Sequence, residues 1–280
     1  MFSVIIPTFN RKAHLVHSIQ SVLDQSFTQW ELIIVDDGST DGTSDWVKNE
    51  VLSQDSRIQL LQQNQFGVSI ARNNGACRAQ FPWIAFLDSD DLWLKDKLQL
   101  QYQYICENPQ YHLIHTQEQW KRNHQMVPVP PKYRKLKGNI FFECLQKCAI
   151  GPSTAVIKKS LFFELGGFDS EFPACEDYDL WLRFCHKHEV GLVDQPLVVK
   201  CAGHPDQLSF TTPALDMYRL KSLIKLYKEC TLTQQQREET LETIQKKSKI
   251  FLKGVKKHKS HDKYQTLIAD LQNLPIAIEN

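Results

Sequence analysis

The sequence predicts an α/β fold: a mostly parallel sheet flanked by helices, followed by a helical C-terminal extension. Three observations lead there. Four short apolar runs alternate with four segments of helical periodicity in the first hundred or so residues, and strand–helix alternation implies parallel strands joined by crossover helices. The runs are almost uninterrupted by polar residues, as in strands buried on both faces. From Pro213 onward the periodicity is helical to near the end.

The elements follow in order. Ser3 to Ile6 is apolar and β-branched, and residues 11–25 carry Leu15, Ile19, Val22 and Leu23 at helical spacing. Leu32 to Val35 is the second strand and 42–52 the second helix. Ile58 to Leu61 and Val68 to Ala79 form the third pair, Trp83 to Leu87 and Leu94 to Cys106 the fourth. Tyr111 to His115 reads as a further strand. Residues 121–137 mix lysines, arginines and prolines and read as a long loop, of the kind that carries function. Thr154 to Ile157 is a strand, Ser160 to Leu165 a short helix closed by Gly166-Gly167 as a C-cap, and Glu176 to His188 a helix with Leu180, Trp181 and Phe184 on its apolar face. Val190 to Val193 and Leu197 to Cys201 read as two late strands. The expected division is a catalytic domain at 1–212, with halves at 1–110 and 111–212, and an extension at 213–280.

Composition excludes several classes. Of 280 residues, 42% are hydrophobic and 23% charged, which excludes wholesale disorder. Thirty-three basic against thirty-two acidic residues give a net charge of +1, with no sign of a nucleic-acid-coating protein. No run approaches the ~18–20 apolar residues of a membrane span, and Phe2 to Ile6 is too short for a signal-peptide core. A cytoplasmic chain is expected. The eight cysteines are widely spaced, lack zinc-ligand patterns and read as free thiols of a reducing compartment.

Three strand ends carry the chemistry. Ligands of open parallel sheets bind outside the carboxyl ends of the strands. The first strand ends in Pro7-Thr8-Phe9-Asn10-Arg11, the second in Asp36-Asp37-Gly38-Ser39-Thr40-Asp41-Gly42, and the fourth in Asp88-Ser89-Asp90-Asp91. Asp36 and Asp37 alone read equally as turn and N-cap residues. Clustered carboxylates repel unless a cation or water relieves them, so Asp88 and Asp90 point to an oxygen-ligated divalent ion; Asp91 reads as a cap of the next helix. Gly67 to Gly75 opens a helix, and its Arg72 suits a phosphate or a base, or water.

Taken in order, these motifs resemble the family 2 glycosyltransferases, which have the GT-A fold. The resemblance extends through Gly166-Gly167-Phe168-Asp169, Cys175-Glu176-Asp177-Tyr178-Asp179-Leu180-Trp181-Leu182-Arg183 and, loosely, Gly203-His204, covering about residues 2–210. It implies a nucleotide-sugar donor. Pro7, Thr8 and Asn10 would line the base or ribose pocket, Asp37 would accept from a base, most often uracil, and Arg72 would contact the base. Asp88 would hold ribose or sugar, Asp90 would ligate Mg²⁺ or Mn²⁺, and His204 is a second candidate ligand. Asp177 matches the catalytic base of inverting members, with Glu176 on the acceptor side; the start of a helix favours such negative charge. The Gln-x-x-Arg-Trp motif of processive synthases is absent, which implies transfer of a single sugar, in cell-surface glycan or glycolipid assembly, to a glycan or lipid-linked acceptor.

Other residues have plainer readings. Trp181 reads as core. His14/His17 and His112/His115 read as structural, and His186 and His188 as solvated. Residues 246–263 hold eight lysines and one aspartate, +7, which leaves −6 on the remainder. Basic amphipathic helices bind anionic membranes, so this segment is a candidate for peripheral membrane contact at the inner face; the plainer reading is a solvated helix packed by Ile250, Phe251 and Val255. Two rival functions are a nucleotidyltransferase, which would need a basic phosphate loop after the first strand, and a catalytically inactive sugar-nucleotide- or partner-binding module, which would be expected to lack Asp90 or Asp177.

Overall fold

The computed structural model describes residues 1–123, 125–203, 215–258 and 262–275. Nine strands form one sheet in these residues: β1 (Phe2–Thr8), β2 (Trp30–Asp36), β3 (Ile58–Gln62), β4 (Trp83–Phe86), β5 (Leu92–Trp93), β6 (Leu113–Arg122), β7 (Gln125–Val127), β8 (Val156–Lys158) and β9 (Gly191–Ala202). Their order is β3-β2-β1-β4-β8-β6-β9-β5, with β7 on β6. The four early strands are mutually parallel, as predicted, with Thr8 opposite Asp36 and Ile5 opposite both Ile33 and Phe86. β8 runs antiparallel between β4 and β6, which restores β6 and β9 to the direction of β1.

The apolar runs are explained by two-sided burial. Ile5, Ile33 and Val35 face one core cluster, while Val4, Ile6, Leu32 and Ile34 face the other. Each such side chain is fully buried, worth about 1.5–3 kcal/mol relative to exposure. Helices α1 (Lys12–Leu23) and α4 (Lys97–Glu107) cover one face. The other is covered by α3 (Val68–Arg78), α5 (Phe141–Gln146), α6 (Lys159–Glu164) and α7 (Glu176–Cys185). A short α2 (Thr43–Trp46) runs into a π turn at Val47–Val51. The extension consists of α8 (Leu215–Glu229), α9 (Gln234–Lys257) and α10 (Gln265–Gln272), whose Leu223, Phe251 and Leu271 join the α5–α7 cluster. Thr233 and Gln236 form a capping box on α9, and Gln236 Nε2 donates to the His186 carbonyl at 2.9 Å, docking α9 onto α7.

The structure corrects several sequence expectations. Residues 121–137 are not one long loop: β6 continues to Arg122, turns through Asn123 at φ 48° and returns as β7. The two late strands are one, β9, whose pairing with β6 shifts register near Gln117, opposite Pro196. β5, only two residues long, precedes α4, which therefore starts at Lys97 rather than Leu94. Gly166 and Gly167 do close α6, at φ 82° and 69°; their amides donate to the carbonyls of Phe163 and Phe162, the Schellman pattern.

His186 is not solvated. Both its ring nitrogens are buried without partners, and burial lowers its basicity; His188 packs on Phe184 and His112. Trp181 is buried in the core, and all eight cysteines are free.

Candidate functional site

The carboxyl ends of β1 and β4, the loop before α3 and the start of α7 surround one cleft of about 1030 Å³, at the upper limit of ligand sites. Pro7, Thr8, Asn10, Asp37, Arg72, Asp88, Asp90, Glu176 and Asp177 all line it. His204 lies outside the described residues.

The nucleotide end is built by cross-links between strand ends. Asn10 adopts φ 51°, and its Oδ1 accepts from the Thr40 amide at 2.7 Å while its own amide donates to Ser39 Oγ at 2.8 Å. Asp36 is an internal brace, accepting from the Ser39 amide and from Ser44 Oγ. Asp37 is buried, and its carboxylate accepts from Gln63 Nε2 (2.7 Å) and the amides of Phe66 and Gly67 (2.8 Å each), fixing the loop that opens α3. Phe9 and Phe66 line the same end and stay 37% and 56% exposed, unusual for such large apolar side chains next to a cavity. Thr8 Oγ1 is buried there without a protein partner.

The acidic end is held by arginines. Arg72 is buried, donating to Asp88 Oδ1 at 2.6 Å and to Glu176 Oε1 at 2.5 Å, across 104 residues of sequence in the second case. The residue thus faces two carboxylates, and its guanidinium lies 5.1 Å from the Phe168 ring centre. Its Nε is buried and unpartnered. Arg11 pairs with Asp90 Oδ2. Asp90 nonetheless titrates above the usual carboxylate range, because burial and the Asp88 charge outweigh Arg11. From α1, Ser18 Oγ is 2.9 Å from the carbonyls of both Ser89 and Asp91, which fixes the loop that carries the acids.

Asp91 does not cap α4, contrary to expectation; Asp96 occupies the cap position. Asp91 is buried instead, accepting from Ser153 Oγ (2.7 Å) and the Cys201 amide (3.0 Å), so it ties the acidic loop to β9. Burial, then the charges of Asp90 and Asp88, push it well above the carboxylate range. Next to Cys201, Lys200 lines the cleft. Burial opposes its charge, but Glu118, Asp91 and Asp88 outweigh that and hold the ammonium above its ordinary value.

At the far side, Cys175 takes a left-handed conformation (φ 63°) and α7 begins. Such a φ is uncommon for a non-glycine residue. Glu176, Asp177 and Asp179 fall in the first helical turn, where the helix dipole favours anions. Glu176 titrates above its ordinary value, since burial and Asp177 outweigh Arg72. Asp177 stays partly exposed to the cleft. Its Oδ1 accepts from the Tyr178 amide at 2.7 Å, and its Oδ2 from the Cys148 thiol at 3.1 Å. Burial and Asp177 drive the Cys148 thiol well above its usual value, so it stays protonated and can donate. Tyr178 Oη donates to the Leu145 carbonyl at 2.7 Å, and Arg183 bonds Asp179 and the carbonyls of Leu165 and Gly167, so α7 is anchored on both flanks.

Sequence reasoning missed Ser18, Cys148, Ser153 and Lys200. None lies in a recognisable motif. The only signal in the sequence is that Arg11 closes the first strand-end motif, and that reading did not extend to its pairing with Asp90.

The donor chemistry suits a hard divalent ion in part. Each arginine takes one oxygen of Asp88 or Asp90 and leaves the other, and hard cations prefer oxygen ligands. No cluster of three or more metal-binding side chains occurs among the described residues. Two carboxylates fit Mg²⁺, which commonly takes one or two and completes its shell with phosphate oxygens and water. No helix among the described residues is long and apolar enough to cross a membrane.

Comparison with known proteins accounts for the arrangement. The model of glycosyl transferase family 2 matches residues 3–162. An uncharacterized glycosyltransferase of Rickettsia felis is 34% identical over 201 residues, 70% of this chain and 32% of that protein. The chain thus spans about a third of the length of that relative. The UDP-Glc:alpha-D-GlcNAc-diphosphoundecaprenol beta-1,3-glucosyltransferase WfgD of Escherichia coli is 33% identical over 197 residues, 69% of this chain and 73% of its own. Among solved structures, S. aureus TarS 1–349 in complex with UDP-GlcNAc superposes with a TM-score of 0.68 at 18% identity, covering 88% of this chain and 70% of that one. At that identity the likeness speaks for the fold alone, the curled mixed sheet of a GT-A-type transferase. The chain belongs to glycosyl transferase family 2.

Proposed function

We propose that the protein transfers a single sugar from a UDP-linked donor to an acceptor hydroxyl with inversion, in cell-surface glycan assembly. The observation that carries this reading is one cleft lined by the Asp88/Asp90 pair at the end of β4 and by Asp177 at the start of α7. The aromatic pair Phe9 and Phe66 suits a nucleobase, with Thr8 Oγ1 offering an unused hydrogen-bonding group. Asp37 spends three hydrogen bonds on its own loop, so its role toward a base would use the remaining acceptor site. UDP and UDP-GlcNAc are ligands of TarS, and WfgD uses a UDP-sugar and a diphosphoundecaprenol-linked acceptor; both support the donor class, and WfgD supports a lipid-linked acceptor here.

In this reading Asp88 and Asp90 would hold Mg²⁺ or Mn²⁺, whose charge would stabilise the departing diphosphate. His204 is proposed as a further ligand. Lys200 adds a positive charge beside those of Arg11 and Arg72 on the same side. Asp177 accepts the acceptor hydroxyl's proton while that oxygen attacks the anomeric carbon and the bond to the diphosphate breaks. The thiol of Cys148 and the amide of Tyr178 hold the carboxylate for that approach.

The test is Asp177→Asn, assayed with UDP-sugars and a GlcNAc-diphospholipid. Loss of a general base lowers turnover by about 10²–10⁴-fold, with UDP affinity by calorimetry unchanged. Retained turnover refutes the base role, and a matching loss of UDP binding makes Asp177 structural.

A further inference from the structure

We propose that the flap formed by residues 121–137 docks on an anionic phospholipid bilayer at the rim of the cleft. The proposal rests on the reading above only in taking the acceptor to be lipid-linked.

The first observation is charge. Residues 119–142 contain Lys121, Arg122, Lys132, Arg134, Lys135 and Lys137 and no acidic residue. Lys135 pairs with Glu118 at 3.1 Å, and Arg134 with Asp194 at 3.1 Å. The other four have no acidic partner among the described residues; Arg122, Lys132 and Lys137 are exposed and Lys121 is half-buried. Balanced surfaces pair such charges or disperse them; here they accumulate on one short segment.

The second is apolar exposure within that segment. Met126 (55%), Tyr133 (37%) and Leu136 (43%) are among the most exposed large apolar side chains of the protein. Lysines and arginines interspersed with exposed apolar and aromatic groups fit the bilayer interface, where the former meet anionic headgroups and the latter enter the acyl boundary. A nucleic acid or a soluble acidic glycan would use the charges but not Met126 and Leu136.

The third is position and order. The parallel pairing of β6 with β9 sets Trp120, Lys121 and Arg122 beside Lys200, Cys201 and Ala202, and Lys200 and Cys201 line the cleft. The described residues of the flap are held in place: the Trp120 and Tyr133 rings pack at 5.0 Å between centres, tilted by 51°, Gln117 bonds the backbone amide and carbonyl of Lys135, and the Gly138 and Val190 backbones exchange two hydrogen bonds. It is also continuous with the second basic segment. Lys147 donates to the Lys132 carbonyl, and one residue before it the Gln146 carbonyl accepts from Lys247 of α9 at 3.3 Å. Phe251 and Val255 of that helix face the core and Ile250 faces out (67% exposed), so α9 adds charge to the flap with little apolar surface of its own. A bilayer held there would present a lipid-linked acceptor to the side of the cleft where Lys200 lies.

The experiment is co-sedimentation of the full chain with vesicles of phosphatidylcholine, with and without phosphatidylglycerol, alongside calorimetry with UDP. Wild type should bind the anionic vesicles only, and less in high salt. A Lys121→Gln/Arg122→Gln/Lys132→Gln/Lys137→Gln variant should lose several hundredfold in partition, as each surface charge multiplies binding about fivefold. A Met126→Ser/Leu136→Ser variant should lose about tenfold. UDP affinity should persist in both, which shows that they fold. Equal binding of wild type to neutral vesicles, or wild-type partition by the quadruple variant, overturns the proposal. So does failure of wild type to bind vesicles when it binds heparin. A wild type that binds vesicles but no UDP refutes the donor reading and leaves the docking surface standing.

Discussion

Arg72 joins the end of β4 to the start of α7 through two carboxylates. Replacing it with Met removes the one cation among the described residues that directly bonds both Asp88 and Glu176. Removing one partner of a buried ion pair costs about 3–5 kcal/mol. Glu176 is 8% exposed and suffers the full effect; Asp88, at 29%, regains part of its hydration. About 3–4 kcal/mol is therefore the expected loss, or some 6–16 °C in Tm at roughly 2–4 °C per kcal/mol for a chain of this size. The pH dependence follows from Glu176. Its folded-state pKa already lies above the unfolded value, so its ionisation opposes folding as pH rises through that interval, and the penalty is absent at lower pH. Without Arg72 the folded pKa rises further, so the variant's deficit is largest at neutral pH and shrinks as pH falls toward the ordinary carboxylate range. Thermal melts of both proteins from acid to neutral pH provide the assay. A deficit below about 1 kcal/mol, or one independent of pH, refutes the strut assigned to Arg72.

Two further outcomes are expected. Asp90→Ala abolishes the dependence of UDP affinity on Mn²⁺, read by titrating UDP with and without the ion; an undiminished Mn²⁺ effect sinks the metal assignment. Gly75→Ala sets a Cβ 2.5 Å from Ile5 Cγ2 and 3.1 Å from Val35 Cγ2, between α3 and the sheet, and overpacking of this kind costs about 1–3 kcal/mol by urea unfolding; an unchanged midpoint refutes that contact.

The parts of the fold legible in the sequence are those dictated by local burial. β1 to β4 stand between two cores, so their apolar runs are continuous and their limits come within a residue or two of the observed ones. β5 is too short to show a period. The outer half of β6, Gln119 to Arg122, is polar because it leads into an exposed hairpin, and this made a strand resemble a loop. β9 was split because Asp194-Gln195-Pro196 interrupts its apolar pattern; the structure absorbs those residues as a register shift. Of the site, the strand-end acids and the Glu176-Asp177 pair were visible as motifs. Their electrostatic partners were not, since Arg72–Glu176 and Asp91–Cys201 join residues more than a hundred positions apart, and Lys200 looks like any lysine at the end of a strand.

The insertion of β8 between β4 and β6 has a consequence for how the chain is made. The first four strands can assemble as successive βα units while the ribosome is still at work, but the β4 edge has no neighbour until residues 156–158 emerge. At about 5–20 residues per second that edge is open for roughly 4–14 s, with Ile84 and Ala85 in its centre. Unpaired apolar edges invite association with other chains. The interval between the fourth strand and the eighth is therefore the vulnerable period of biogenesis, when a holdase or a slower rate of synthesis would most change the yield.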